Sequence, residues 1–214
     1  MTPRQIMIVL IAAAYLAGSV PFGLLVGKAK GIDVRKAGSG NIGATNVARL
    51  LGRRYFFLVF FLDLLKGMFP VLAGFFVLRG RPMTHADTAL WLAVAVAAVL
   101  GHMYSVFLKF HGGKGVATSA GVVLGFFPFF TYPALMCLGV FAIVFVIWRY
   151  VSLGSIAAAA SFPLFFLAIW RQQTSPLLLA AAIALSALII WKHRTNISRL
   201  RAGTEMKMGR AKAE

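Results

Sequence analysis

The run YFFLVFFLDLLKGMFPVLAGFFVL, residues 55–78, decides the fold class. It is apolar apart from Asp63 and Lys66 and longer than the roughly 20 residues a helix needs to cross a bilayer. Asp63 and Lys66 stand three apart, on one helix face, where opposite charges can pair. Ionisable groups inside an apolar helix usually face the protein interior. The spacing admits a functional pair or a structural one, and the structural pair is the reading taken. Phe56, Phe57, Phe60 and Phe61, like the cluster Phe126 to Phe130, read as packing or lipid-facing residues.

Outward from that run the pattern repeats. The 214 residues are 60% hydrophobic and only 13% charged, with mean hydropathy +0.85. That composition points to the bilayer and away from a soluble domain. Apolar runs predict an all-α, polytopic integral membrane protein of about seven crossings: 4–26, 55–78, 88–107, 116–131, 133–150, 154–170 and 176–192. Pro128 and Pro133 make the fourth connection tight, and Pro21 should kink the first helix. Gly23-xxx-Gly27 and Gly121-xxx-Gly125 should let helices approach closely. The N-terminal run resembles a signal peptide, but no polar domain follows it, so a retained first helix is expected. No soluble domain is left over, which makes residues 1–214 a single domain, with a tail at 203–214 expected either to be flexible or to lie on the membrane surface. Cys137 stands alone, and no Cys/His cluster has metal-ligand spacing, so neither metal nor other cofactor is expected.

Net charge is +17, from 22 Lys and Arg against 5 Asp and Glu. No basic domain interleaved with aromatics accompanies it, so a nucleic-acid partner is not expected. The charge instead follows topology. With the N-terminus outside, the cytoplasmic side receives Lys28, Lys30, Arg35, Lys36, Arg49, Arg53 and Arg54. It also receives Lys109, Lys114, Arg149, and Lys192, Arg194, Arg199, Arg201, Lys207, Arg210 and Lys212. Only Arg4, Arg79, Arg81 and Arg171 fall outside. That bias predicts N-out, C-in. The same orientation gathers four polar clusters, distant in sequence, on one membrane face, as a composite site would require.

The first cluster is Gly38-Ser39-Gly40-Asn41-Ile42-Gly43-Ala44-Thr45-Asn46. Its glycines permit positive φ and close backbone approach. Convergent N–H groups, with Arg35, Lys36 and Arg49 nearby, are expected to hold an anion or phosphate. Gly38-x-Gly40-x-x-Gly43 matches a dinucleotide fingerprint in form, and Asp63 follows at twenty residues. Flanking membrane helices remove that reading, because the fingerprint works only between a strand and a helix. Gly112-Gly113-Lys114-Gly115 fails the Walker pattern at Leu108 and Gly115. It reads as a flexible glycine loop presenting an ammonium at a helix start, or as a membrane anchor. His102 could orient that loop, whereas His85 and His111 read as solvated. Ser152 marks a third turn. His193 and Asn196, three apart, could point at one ligand near Arg199, Gly203 and Glu205. No carboxylate pair, metal cluster, serine elbow or His-x4-Asp pattern accompanies these clusters. Phosphate cradles without acid–base machinery imply chemistry that uses groups on the substrates.

These segments together resemble a family. Gly18-Ser19-Val20-Pro21-Phe22-Gly23, the Gly38–Asn46 loop continuing to Val47-x-Arg49, and Asp63-x-x-Lys66-Gly67 are similar to the bacterial acyl-phosphate-dependent glycerol-3-phosphate acyltransferases (PlsY). So are Gly101-His102 through Phe107, Gly112 through Thr118, Ser152-Leu153-Gly154 and His193-x-x-Asn196-Ile197-x-Arg199-Leu200. The resemblance implies a seven-helix enzyme of the bacterial inner (cytoplasmic) membrane with its site facing the cytoplasm. It implies transfer of a fatty acyl group from acyl phosphate to the 1-hydroxyl of glycerol 3-phosphate, without metal or coenzyme A. By position, Ser39, Gly38, Gly40, Asn41, Arg49 and Lys114 would hold phosphate, with Ser39, Arg49 and Lys114 catalytic. Ser152, His193 and Asn196 would bind glycerol 3-phosphate. A monomer among membrane lipids is expected. Two positions depart from the family pattern. Ile42 stands where members often carry proline, which implies a less rigid loop. Val151 replaces a serine some members have before Ser152. The competing class is a small-anion transporter, disfavoured because the chain shows no inverted repeat and no matched broken helices.

Overall fold

The computed structural model describes residues 1–80, 82–172 and 175–209. Arg81, Arg210 and Lys212, which entered the charge count, lie outside the described residues, as does the last part of the tail. Ten α-helices form the described chain, with no strand among its residues. The chain divides into two compact units, Met1–Phe127 and Pro128–Glu214.

In the first unit, α1 (Pro3–Ser19) starts on a capping box. The Thr2 N–H donates to Gln5 Oε1 at 2.8 Å, and the Gln5 N–H donates to Thr2 Oγ1 at 3.3 Å. Val20 and Pro21 break the span as expected, and α2 (Phe22–Lys28) resumes it. A loop leads to α3 (Ala44–Leu51), and Gly52, at φ +94°, turns the chain into α4 (Arg53–Leu78). Next comes α5 (His85–Met103), itself capped by Thr84 and Asp87, then a 3₁₀ turn at Val106–Leu108 and α6 (Val116–Gly125). In the second unit, α7 (Thr131–Trp148), α8 (Val151–Trp170), α9 (Pro176–Lys192) and α10 (Arg194–Arg201) follow in order.

Five segments are long and apolar enough to span a membrane: Pro3–Lys28, Arg53–Leu78, His85–Leu108, Thr131–Trp148 and Val151–Trp170. The pair α9–α10, bent by 55°, makes a sixth when its two helices are taken as one span. The segment expected at 116–131 forms a helix only over Val116–Gly125, which at about 1.5 Å per residue is half a bilayer core.

Packing in lipid relies on close backbone approach, because apolar side chains gain little by leaving hydrocarbon for one another. A Cβ on Gly18 would strike the Ala98 carbonyl of α5, and one on Gly101 the Tyr15 carbonyl of α1. Gly121 abuts the Leu64 carbonyl and Gly67 the Thr118 carbonyl, locking α6 onto α4 as the Gly121-xxx-Gly125 spacing predicted. Gly23-xxx-Gly27 differs. Gly23 accommodates the Ile42 carbonyl and Gly27 the Val34 side chain and Ile32 carbonyl, so the pair seats a loop and not a helix. The aromatic residues divide. Phe57 and Phe61 face outward, while Phe126 is buried and stacks on Trp91, centroids 3.7 Å apart. The Trp91 indole N–H donates to the Val71 carbonyl at 2.8 Å. In the second unit Phe130 meets Phe162 and Phe166 of α8 edge-on, and α7 buries only Pro133 and Cys137.

Candidate active site

The Gly38–Asn46 loop is organised by one residue of α3. Asn46, 1% exposed, accepts from the Ser39 N–H at 2.8 Å. Its amide nitrogen lies within hydrogen-bond reach of the carbonyls of Val34 (2.9 Å), Ala37 (3.1 Å) and Asn41 (2.9 Å). Two N–H bonds therefore serve three carbonyls and gather the loop around a single side chain. Below it, Ala44 and Val47 join Leu24, Val34, Ile42 and Val59 in an apolar cluster.

Gly38 (φ +60°) and Gly40 (φ +69°) take the left-handed conformation glycine permits, and a Cβ at Gly38 would strike Asn46 Oδ1. Gly43 does not: at φ −76° it is the N-cap of α3. Three of the loop N–H groups are turned inward. The Gly40 N–H donates to the Ala37 carbonyl at 3.0 Å, the Gly43 N–H to Asn41 Oδ1 at 2.8 Å and the Ser39 N–H to Asn46. The N–H groups of Asn41, Ala44 and Thr45 make no hydrogen bond among the described residues, so the start of α3 and the loop side chains together supply the loop's capacity for an anion. The Ser39 hydroxyl is half-buried and has no hydrogen-bond partner among the described residues. Arg49 follows Asn46 by three residues, half-buried in the last turn of α3. Arg35, expected as a flanking cation, is instead forked onto Asp33 at 2.7 and 2.9 Å. Those hydrogen bonds and the Arg35 charge hold the Asp33 carboxyl far below the usual carboxylate range.

Lys114 is half-buried one residue before Gly115 (φ +81°), the N-cap of α6. The preceding loop is fixed, not flexible. The Gly112 N–H donates to the Met103 carbonyl at 3.2 Å and the Gly113 N–H to the His102 carbonyl at 3.1 Å. Lys109 and Phe110, at φ +50° and +63°, make the reversal. α6 packs on α4, and so does α3, so the two phosphate candidates share a supporting helix.

In the second unit Ser152 occupies the first turn of α8, and Asn196 the first turn of α10; both are buried. They meet at Glu205. Glu205 Oε1 accepts from Ser152 Oγ at 2.7 Å and from Asn196 Nδ2 at 2.6 Å, and Oε2 accepts from Arg199 Nε at 2.7 Å. Burial pushes the Glu205 carboxyl up, but the hydrogen bonds from Arg199, Ser152 and Asn196 and the Arg199 charge outweigh it, leaving the group below its ordinary value of 4.5. The tail is therefore not flexible but folded through residue 209. Glu205 is buried, the Thr204 N–H donates to the Arg199 carbonyl at 2.9 Å, and the Met208 N–H to the Arg149 carbonyl at 2.9 Å. His193, 2% exposed, joins α9 to α10 with Nδ1 2.8 Å from the Ile189 carbonyl. A carbonyl only accepts, so Nδ1 carries a proton. Ser152, with its hydroxyl proton directed at Glu205, is left as an acceptor. That suits a substrate hydroxyl better than a phosphate oxygen.

Asn46 and Glu205 were not among the expected site residues. Glu205 stood beside the His193–Asn196 cluster in sequence, but nothing there tied it to Ser152, 53 residues away. Asn46 gave a weak one, as a polar residue closing a glycine-rich loop.

The molecule is thus a multi-pass helical membrane protein whose candidate site residues are hydroxyls, amides and cations. The model of the glycerol-3-phosphate acyltransferase family matches residues 8–203. The chain belongs to this family. It is 50% identical over 197 residues to a glycerol-3-phosphate acyltransferase of Trichlorobacter lovleyi, covering 92% of this chain and 95% of that one. Against the enzyme of the same description from Aquifex aeolicus, identity is 46% over 199 residues, covering 92% and 96%. It superposes with TM-score 0.84 and 44% identity on the crystal structure of PlsY (YgiH), an integral membrane glycerol 3-phosphate acyltransferase, in its glycerol 3-phosphate form, covering 95% of this chain and 96% of that one. The lysophosphatidic acid form gives a TM-score of 0.81.

Proposed function

We propose that this protein is a membrane acyltransferase that moves a fatty acyl group from acyl phosphate to the 1-hydroxyl of glycerol 3-phosphate. The observation that carries the reading is the family match over residues 8–203, which contains every candidate site residue from Gly38 to Asn196. That match also runs across both compact units, which supports one functional domain. The expected seven crossings, N-terminus outside, with the site facing the cytoplasm of a bacterial inner membrane, are supported by the charge asymmetry and by five to six long apolar spans, α6 being too short to cross as a straight helix.

In the proposed reaction the glycerol hydroxyl oxygen attacks the acyl carbonyl carbon. The bond from that carbon to the phosphate oxygen breaks, and inorganic phosphate leaves beside lysophosphatidic acid. The hydroxyl proton passes to a phosphate oxygen of the donor, so the transfer needs no protein base. Arg49 and Lys114 stabilise the charge gathering on the leaving phosphate, and the Ser39 hydroxyl, held by the Asn46-fixed loop, donates to it. Gly38, Gly40 and Asn41 shape the loop that presents Ser39. Ser152, His193 and Asn196 bind glycerol 3-phosphate, with Ser152 Oγ accepting from one of its hydroxyls. Holding two phosphorylated substrates converts a bimolecular encounter into a positioned one. The protein acts as a monomer surrounded by lipid.

Purified protein given acyl phosphate and glycerol 3-phosphate should release phosphate stoichiometrically with lysophosphatidic acid. Folded Lys114→Ala and Ser39→Ala variants should lose most turnover. Activity with acyl-coenzyme A alone, or normal turnover in both variants, would overturn the assignment.

A further inference from the structure

Asp63 and Lys66 on α4 and His102 on α5 form a buried polar cluster within a membrane-spanning part of the first unit. Lys66 Nζ lies 2.6 Å from Asp63 Oδ1, and the exposures of the two side chains are 4% and 3%. The ammonium also donates to the Val20 carbonyl at 2.7 Å, at the break between α1 and α2. His102 Nδ1 lies 3.7 Å from the same Asp63 oxygen. Ionisable side chains inside an apolar span are expensive to bury and by default mark a functional or structural network.

The other edge of the imidazole indicates what this network does. A Cβ on Gly113 would collide with His102 Nε2 and lie 3.1 Å from Cε1 and 3.2 Å from Cδ2. The ring is thus a wall against which the Gly113 backbone rests, with Asp63 behind it. Gly113 also donates its N–H to the His102 carbonyl at 3.1 Å, and a Cβ on Gly112 would strike that same carbonyl. Lys114 is the next residue, and α6 begins two residues later.

We infer that His102 is a positioning residue: the Asp63–Lys66 pair fixes its imidazole, and the imidazole fixes Gly113 and so sets where the Lys114 ammonium stands. This rests on the role proposed for Lys114. It explains why residue 113 is glycine at a φ any residue could adopt, since the constraint is the ring and not the backbone angle.

The test is a double-mutant comparison in the full-length protein. Gly113→Ala alone should lower kcat/KM in phosphate release by about tenfold or more, as a displacement near 1 Å of a positioned group does. His102→Ala alone should do the same. The double variant should be no worse than His102→Ala, because removing the ring vacates the space that the new Cβ needs. Hydrogen exchange over residues 109–115 should accelerate in His102→Ala, while α3 and α4 keep their protection. If His102→Ala fails to accumulate, His102→Gln, which also removes the ring, serves in the same comparison. Losses that multiply in the double variant, or unchanged exchange over 109–115, would overturn the inference. The exchange measurement needs no turnover. Altered exchange in a protein whose wild type releases no phosphate from acyl phosphate and glycerol 3-phosphate would uphold the coupling and sink the proposed function instead.

Discussion

Replacing Asn46 by aspartate tests whether one amide holds the Ser39 loop. The substitution is nearly isosteric and keeps the acceptor for the Ser39 N–H, now at 2.8 Å. It replaces the donor with an oxygen facing the carbonyls of Val34, Ala37 and Asn41, now 2.9, 3.1 and 2.9 Å from Nδ2. Two N–H bonds are lost, and each buried carbonyl left unmet costs about 1–3 kcal/mol. Ala37 and Asn41 are half-buried, so water relieves part of the loss and a total of roughly 3 kcal/mol is reasonable. The helices stay packed in lipid, so the cost should appear as local opening of the loop. An opening of roughly 3 kcal/mol corresponds to about a hundredfold loss of kcat/KM in phosphate release. A carboxyl facing three carbonyl oxygens is favoured in its neutral form, which regains one donor. Activity of Asn46→Asp should therefore recover partly as the pH falls and disappear as it rises through the elevated pKa. Exchange over residues 34–46 should accelerate with α4 protection intact. Undiminished turnover with undiminished loop protection would refute the reasoning.

Glu205→Gln keeps the shape of the second unit's hub but turns an amide donor toward Arg199 or Ser152. With hydrogen bonds to a charged group worth about 1.5–3 kcal/mol each, and the Arg199 contact discounted for its exposure, the variant should lose roughly 2–4 kcal/mol from the tail docking, read as faster exchange over residues 203–209. Because the Glu205 pKa is depressed on folding, its contribution is complete above 4.5 and falls away as pH drops through the lowered value. Wild-type tail protection should weaken only at such acidity, and Glu205→Gln should lose that dependence. His193→Ala should raise KM for glycerol 3-phosphate with kcat little changed if the ring binds that substrate; an equal fall in kcat and kcat/KM would assign it to the transition state instead. Gly121→Leu should lower the midpoint of thermal unfolding by several degrees, since its Cβ would meet the Leu64 carbonyl and force α6 off α4; an unchanged midpoint would mean that contact is not fixed.

What was legible in the sequence was whatever hydropathy and local spacing control. The run 55–78 became α4 (Arg53–Leu78), Asp63 and Lys66 paired at 2.6 Å, and Pro21 broke the first span. Gly121-xxx-Gly125 marked a real helix contact. The segment 116–131 misled because apolar composition does not end a helix, whereas the turn at Phe126–Phe130, with Phe126 and Phe130 turned into two different aromatic clusters, does. The site was legible by residue type and not by partner. A hydroxyl's direction depends on what accepts from it, and for Ser152 the acceptor is Glu205, 53 residues away.

Ile42 shows why a missing motif residue need not mean a missing property. Its place in a pattern that often carries proline implied a loop with fewer constraints. Proline would have limited the backbone through φ at one position, an entropic gain of at most about 1 kcal/mol. Isoleucine instead buries its side chain to 5% exposure among Leu24, Val34, Val47 and Val59. Full burial of such a side chain from water is worth about 1.5–3 kcal/mol, comparable to or larger than the gain it forgoes. Its carbonyl seats against Gly23, where no side chain would fit. The constraint thus moves from a ring within the loop to a contact between the loop and α2, and the position of Ser39 comes to depend on Gly23 as well as on Asn46. Proline at 42 would keep the carbonyl contact but give up part of the apolar burial, so Ile42→Pro should not tighten the loop beyond the wild type.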